Sequence, residues 1–527
     1  MPDRSVGVFT RTAVAMAGQA SLLIEAALPY RHRYDAMIAI RKSHARRHGK
    51  AHRPAAAASH SRAFLALSVL LVLVFATGGA SRADVASLPV LRPAATAMLF
   101  VGLYWLKAEH VRRHRFLLAW GGGAALLVLL QLVPLPPHLW QSLPGRGLIA
   151  EIDRAIGLGE VWRPLTMTPA ATRNALWSLM PPLACLVLAV QLESSEHKKV
   201  LNLVLGLGLT SAVMGMLQLL GDPYGPLYFY AVTGNGDAVG LYANRNHQAL
   251  LLATLLPMLA AWALMRNEGR DLARMRAMCA IGAGAFVVPL LLITGSRAGL
   301  FMGLTGLVLS GAIVVEGLRG RTERSSFSTP AGTAPHKERR RIGAPALLAL
   351  LLGGAVILVA ATVALSRDLA VERLLERDIA EDARAKALPV VLEITQHHML
   401  IGSGLGSFEQ VYQVHEPDGL LGPTYMNHAH NDWLELVQTG GIPALLLLVA
   451  ALAWAAGQIA KHVWSSQVPG DLRRLGQAGA SFLLLAGMGS IGDYPLRTPS
   501  LACMTIIALI WIGNLPHKRR TDDGFKD

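Results

Sequence analysis

Residues 277–315 read AMCAIGAGAFVVPLLLITGSRAGLFMGLTGLVLSGAIVV, and Arg297 is the single charged side chain in that stretch. The two apolar runs, 277–294 and 299–315, each approach the roughly 20 residues that an α-helix needs to cross a bilayer. Gly295-Ser296-Arg297-Ala298 joins them, a link long enough only for a tight turn between antiparallel helices. Further runs of this kind fall at 63–80, 93–106, 116–133, 174–192, 200–220, 247–265, 342–365, 441–460, 475–491 and 501–515, bringing the total to twelve. None contains Asp, Glu, Lys or Arg. The run at 93–106 is the shortest and follows Pro89, Arg92 and Pro93. The expected fold is therefore an all-α polytopic membrane protein with about twelve transmembrane helices.

Composition agrees. The chain is 53% hydrophobic and 16% charged, whereas soluble domains carry about 25% charged residues. The net charge of +15 does not point to nucleic acid, because the basic residues sit in tails and short loops and form no basic domain. Cys185, Cys279 and Cys503 all fall within apolar runs and read as small core residues, with neither a disulfide framework nor a zinc site. Residues 1–62 form a basic tail in which Asp35 is the sole acidic residue between Arg31 and Arg62. The first strong apolar run starts near Ala63, too deep for a cleavable signal peptide of the usual form. Residues 63–515 form the membrane domain and 516–527 a second tail.

Twelve spans put both termini on one side, and the distribution of Lys and Arg tests which side. With the termini inside, the inner loops hold 20 Lys and Arg in 66 residues, and the outer loops 14 in 166. This asymmetry predicts that both termini are cytoplasmic. Three outer segments, 134–173, 221–246 and 366–440, exceed what a connector needs, and long loops of this kind are usually functional. The longest, between the ninth and tenth spans, is expected to carry one or two helices along the membrane surface.

The candidate chemistry lies on that outer side. Arg297 occupies the short hairpin, where it reads either as a ligand-binding group or as an arginine snorkelling from a helix end. Asn244-Arg245-Asn246-His247 is rich in hydrogen-bond donors, or else a polar helix start capped by Asn246. A pair of arginines suits a diphosphate, because guanidinium groups are permanently charged and bidentate. His430, in His428-Ala429-His430-Asn431-Asp432, is able to take a proton from a hydroxyl near neutral pH. The same segment also reads as a helix start capped by Asn431 or Asp432. On a helix His430 would face Leu434 and Val437, away from Glu435 and Asp432, so no nearby carboxylate is expected to orient it. The glycine-rich segment Gly402-Ser403-Gly404-Leu405-Gly406 lacks the Lys-Ser/Thr of a phosphate loop and reads as a tight turn.

Together these segments, from about Tyr242 to Trp511, resemble the O-antigen ligase-related family, which includes O-antigen ligases, O-antigen and exopolysaccharide polymerases, and some protein oligosaccharyltransferases. Gln131-Leu132-Val133-Pro134-Leu135-Pro136 and Gly492-Asp493-Tyr494-Pro495-Leu496-Arg497 extend the likeness, whose ligase-like core runs from about 200 to 460. The family's ligases carry His-Asn, nine residues, Gly, two residues, then Gly, Thr or Tyr. Here His430-Asn431 leads to Gly441, and Ala444 departs from the pattern, which favours polymerase over ligase. The resemblance implies a glycosyltransferase with a polyprenyl-diphosphate-linked glycan donor and a lipid A-core, glycan or protein acceptor. It needs no cofactor or metal, works among membrane lipids, binds no nucleic acid, and has polysaccharide assembly proteins as candidate partners. By likeness, Arg245 and Arg297 hold the diphosphate and His430 activates the acceptor. Asn244, Asn246, His247, Arg384, His428, Asn431, Asp432 and Arg497 are further candidates for substrate contact. Two competing readings are a transporter, disfavoured by the lack of mid-span charge, and a non-catalytic scaffold.

Overall fold

The computed structural model describes residues 60–266, 269–326, 379–421, 425–463, 465 and 468–513. The expected span at 342–365, most of the preceding loop and both tails lie outside the described residues. The remaining expected spans fall on α1 (Arg62–Thr77), α2 (Leu88–Trp105), α3 (Arg115–Gln131), α4 (Pro169–Ser178) with α5 (Met180–Ala189), α6 (Ser194–Leu220), α7 (Arg245–Ala263), α8 (Arg270–Ile293), α9 (Arg297–Ser326), α12 (Asp432–Gln458), α13 (Gly470–Gly492) and α14 (Pro499–Gly513). The long segment before α12 contributes α10 (Ile379–His398) and α11 (Phe408–His415). Among the described residues six helices, namely α2, α6, α8, α9, α12 and α13, are long and apolar enough to cross a membrane. This is a mostly helical, multi-pass membrane protein.

Two expectations need correction. The run 174–192 is not one helix but two, α4 and α5. Pro181 and Pro182 supply no backbone N–H to the preceding turn, so a single continuous ladder is not available there. Cys279, expected in the core, is exposed, whereas Cys185 and Cys503 are buried. The exposed face of α8 also carries Met278 and Ile281. With Phe100, Phe301, Leu304 and Leu446, likewise exposed, these residues make an apolar surface of the kind that bilayer hydrocarbon covers.

The interior is built around α7, which is buried continuously from His247 to Leu259. It packs along α9, and Gly299 is what allows the helices to approach, since a Cβ there would come within 2.5 Å of the Ala249 methyl. Small residues at such crossings let two backbones close up where no hydrophobic effect drives helices together. The two helices run parallel, Gly306 meeting Ala253 and Gly317 meeting Leu264, so their first residues, Arg245 and Arg297, lie at the same end of the bundle.

The segments following α3 and preceding α12 close over that end. Pro134–Leu135 and Arg163–Pro164 form a two-stranded antiparallel ribbon, β1 and β2. The carboxamide of buried Gln131 donates to the Thr439 carbonyl and accepts from the Leu405 N–H, tying α3, the glycine turn and α12 together. Gly441 bends α12 with φ +64°, and a Cβ there would lie 2.5 Å from the Ile401 carbonyl carbon. This contact gives a physical reason for glycine at that place in the His-Asn motif. The turn at 402–406 is as compact as expected, and its Gly404 leaves no room for a Cβ against Thr166.

Candidate active site

The site is assembled from helix starts. Asn431 caps α12 by accepting from the N–H groups of Trp433 and Leu434 at 3.0 and 3.1 Å. Asn244, not Asn246, caps α7, accepting from the Asn246 N–H at 2.8 Å. His430 precedes its helix with φ +49°, a left-handed conformation uncommon outside glycine. The helical projection that separated His430 from every carboxylate therefore does not apply to it.

Its partner comes from the turn after α13. His430 Nδ1 lies 3.2 Å from Asp493 Oδ1. The same oxygen accepts from the Tyr494 N–H at 3.0 Å, and Oδ2 accepts from the side chains of Asn244 at 3.1 Å and Asn246 at 2.6 Å. One buried carboxylate thus joins three segments that the sequence left separate. Burial raises the Asp493 pKa, but the hydrogen bond and charge of His430, with His247 and Arg384, outweigh this and hold it well below the usual carboxylate range. Burial lowers the His430 pKa, and the Asp493 interaction opposes without reversing it. Asp493 is therefore ionised and His430 neutral near pH 7. An ionised carboxylate only accepts, so the ring proton sits on Nδ1 and Nε2 keeps its lone pair.

A second set lies beside the first. His428 Nδ1 donates to Glu435 Oε1 at 3.0 Å, and Glu435 Oε2 accepts from the Ala429 N–H at 3.0 Å. Arg497 reaches Asp432 at 3.2 Å and Glu435 at 3.4 Å. Burial lowers the Arg497 pKa, and the two carboxylates more than reverse this. Asp432 also accepts from the Ser490 hydroxyl and the Leu496 N–H. Tyr494 touches both sets, with its ring 4.4 Å from His428 and 4.8 Å from His430. Burial, chiefly, and the Asp493 charge push its phenol pKa up.

The other candidates are distributed as follows. His247 is buried on α7, with Nδ1 3.0 Å from the Thr498 hydroxyl. Arg384, half-buried on α10, is near enough for its charge to act on Asp493 and His430. Arg245 lies 3.6 Å from Asp237, and Arg297 is exposed at the start of α9. Sequence reading overlooked Asp493 and Tyr494 as site residues, although both stand in a segment that already drew attention. It also overlooked Glu435, whose signal is a carboxylate three residues into a largely apolar helix.

Fold and site together define a multi-pass helical membrane protein with a buried ionic centre at one end of its bundle. Residues 282–449 match the family model described as O-antigen ligase, which supports an O-antigen ligase-related family for this part of the chain. The match supports a glycan-transferring membrane enzyme of the ligase or polymerase kind. It includes Arg297, Arg384 and His430 but ends before Asp493. No curated protein matches the chain.

Proposed function

We propose that the protein transfers a glycan from a polyprenyl-diphosphate carrier to an acceptor hydroxyl at the periplasmic face of the bacterial inner membrane. The acceptor is lipid A-core, another glycan or a protein. The observation that carries this reading is the neutral His430 held by Asp493, near two helices that each begin with an arginine. The positive dipole ends at the starts of α7 and α9 favour an anion, and Arg245 and Arg297 add permanent charge. The diphosphate binds there. His430 Nε2 takes the proton from the acceptor hydroxyl as its oxygen attacks the anomeric carbon. The bond from that carbon to the phosphate oxygen breaks, and the diphosphate leaves with the electron pair, inverting the anomeric centre. The arginines stabilise charge growing on the leaving group, which is where preorganised electrostatics contribute most.

The test uses the purified full-length protein in vesicles with a synthetic polyprenyl-diphosphate glycan. The wild type should release polyprenyl diphosphate in step with product. His430→Ala should bind donor but lose turnover about 10²–10⁴-fold, whereas Arg245→Ala and Arg297→Ala should weaken donor binding as well. Unchanged rates in all three would remove the basis of the proposal.

A further inference from the structure

Arg92 stands one turn inside α2, a helix long and apolar enough to cross a membrane, and no carboxylate among the described residues offsets its charge. Its Nη2 donates to Asn174 Oδ1 at 2.7 Å and to Ser178 Oγ at 3.1 Å, both neutral and both on α4. Its Nε is buried without a partner. A snorkelling arginine would run along its own helix to water; this one reaches across to α4. Charged groups within membrane helices are as a rule paired, and the group missing here is an anion.

There is room for one. Arg92 lines a cavity of about 800 Å³, inside the range of about 300–1,000 Å³ usual for small-molecule sites. Pro89, Pro93, Ala97 and Phe100 line it too; at spacings of three and four they form one stripe of α2, and all four are exposed. From Arg92 to Phe100 the helix rises about 12 Å, so a hydrocarbon chain that begins at the guanidinium has an apolar strip to lie on. Trp177 flanks the cavity from α4, an aromatic of the kind that gathers where membrane meets water. Asp84 lines it as well, but Arg82 binds both its carboxylate oxygens, at 2.9 and 2.7 Å. Arg92 is therefore the net charge of the site.

We infer that this cavity holds a glycerophospholipid of the membrane itself, with its phosphodiester on the Arg92 guanidinium and one acyl chain along Pro93, Ala97 and Phe100. A guanidinium pairs with phosphate through two parallel N–H bonds, which gives Nε the partner it lacks. One phosphodiester charge matches one arginine, a diphosphate brings more charge than the site offsets, and inorganic phosphate leaves the apolar strip bare. The bound lipid ties α2 to α4. None of this depends on glycan transfer.

The full-length protein, stripped of lipid in detergent, is irradiated with a phosphatidylglycerol carrying a diazirine in its acyl chain, and the labelled peptides are mapped. Labelling should be saturable and fall within residues 93–100 and at Trp177. Unlabelled phosphatidylglycerol and phosphatidylethanolamine should both compete, since they share the phosphodiester, whereas diacylglycerol and inorganic phosphate should not. Arg92→Gln should weaken binding about tenfold, a loss of about 1.4 kcal/mol. Ala97→Trp, which fills the strip and leaves the Arg92 hydrogen bonds in place, should weaken it to a similar degree. Leu304→Trp, on the exposed face of α9, should leave it unchanged. Equal competition by diacylglycerol would overturn phosphate recognition. Competition by inorganic phosphate would reduce the site to an ion site, and competition by farnesyl diphosphate alone would assign it to a diphosphate lipid; either result overturns the inference. So would unchanged binding in Ala97→Trp, even if Arg92→Gln lost it, because the acyl strip would then play no part.

Discussion

Replacing Asp493 by Asn is the perturbation whose outcome the geometry specifies in most detail. The carboxylate accepts four hydrogen bonds, from His430, Tyr494, Asn244 and Asn246. An asparagine has one accepting oxygen and one donating NH2 group. If the oxygen stays with Asn244 and Asn246, the NH2 group faces the Tyr494 N–H and His430 Nδ1. The imidazole must then accept at Nδ1 and carry its proton on Nε2, the tautomer that cannot act as base. General-base catalysis contributes about 10²–10⁴-fold, so turnover should fall by that factor, equivalent to about 3–5 kcal/mol of barrier at 1.36 kcal/mol per tenfold. Stranding the Tyr494 donor costs a further ~1–3 kcal/mol of stability, visible as a lower unfolding temperature. The assay is release of polyprenyl diphosphate by the variant in vesicles, with donor binding measured alongside. Donor binding should persist while turnover collapses. A variant that turns over at the wild-type rate would refute the claim that Asp493 fixes His430 as the base.

Other expectations follow from the same geometry. Burial lowers the His430 pKa below its usual 6.5; its neutral form is the active one, so turnover should rise with pH through an apparent pKa below 6.5, which a pH–rate profile reads directly. Arg497→Ala leaves Asp432 and Glu435 without their shared cation, and losing one member of a buried ion cluster costs about 3–5 kcal/mol; thermal unfolding in detergent should show it, with Arg497→Lys intermediate. Gly441→Ala places a methyl against Ile401 at φ +64°; holding an L-residue there costs about 1–3 kcal/mol, and lower expression or melting temperature should follow. Reporter fusions at residue 330 should read as cytoplasmic and those within 410–425 as periplasmic, and the reverse pattern would invert the proposed orientation.

The helices were legible because a bilayer demands long apolar runs, and few sequences satisfy that demand by accident. The break between α4 and α5 was written in Met180-Pro181-Pro182, but hydropathy alone passed over it. The site was half legible. His430, Asn431, Asn244 and Arg245 announced themselves as polar residues at the ends of apolar runs. Asp493 did not, because it meets His430 from 63 residues away, and tertiary pairing leaves no trace in local spacing. His430 was also projected onto a helix that begins two residues later, an error that hid its need for a carboxylate from elsewhere. The Arg92 site was not legible at all, since Asn174 and Ser178 meet that arginine only in the fold.

The central claim is that His430, Arg245 and Arg297 perform glycan transfer, and one measurement addresses it most directly. A strain lacking the gene is complemented with wild type, His430→Ala, Arg245→Ala or Arg297→Ala at matched protein levels, and its surface and lipid-linked glycans are resolved on gels. The account predicts that each variant loses the polymer or the attached glycan while the lipid-linked precursor accumulates, with loss of long chains alone marking a polymerase and loss of all attachment a ligase. Wild-type glycan profiles from all three variants would contradict it.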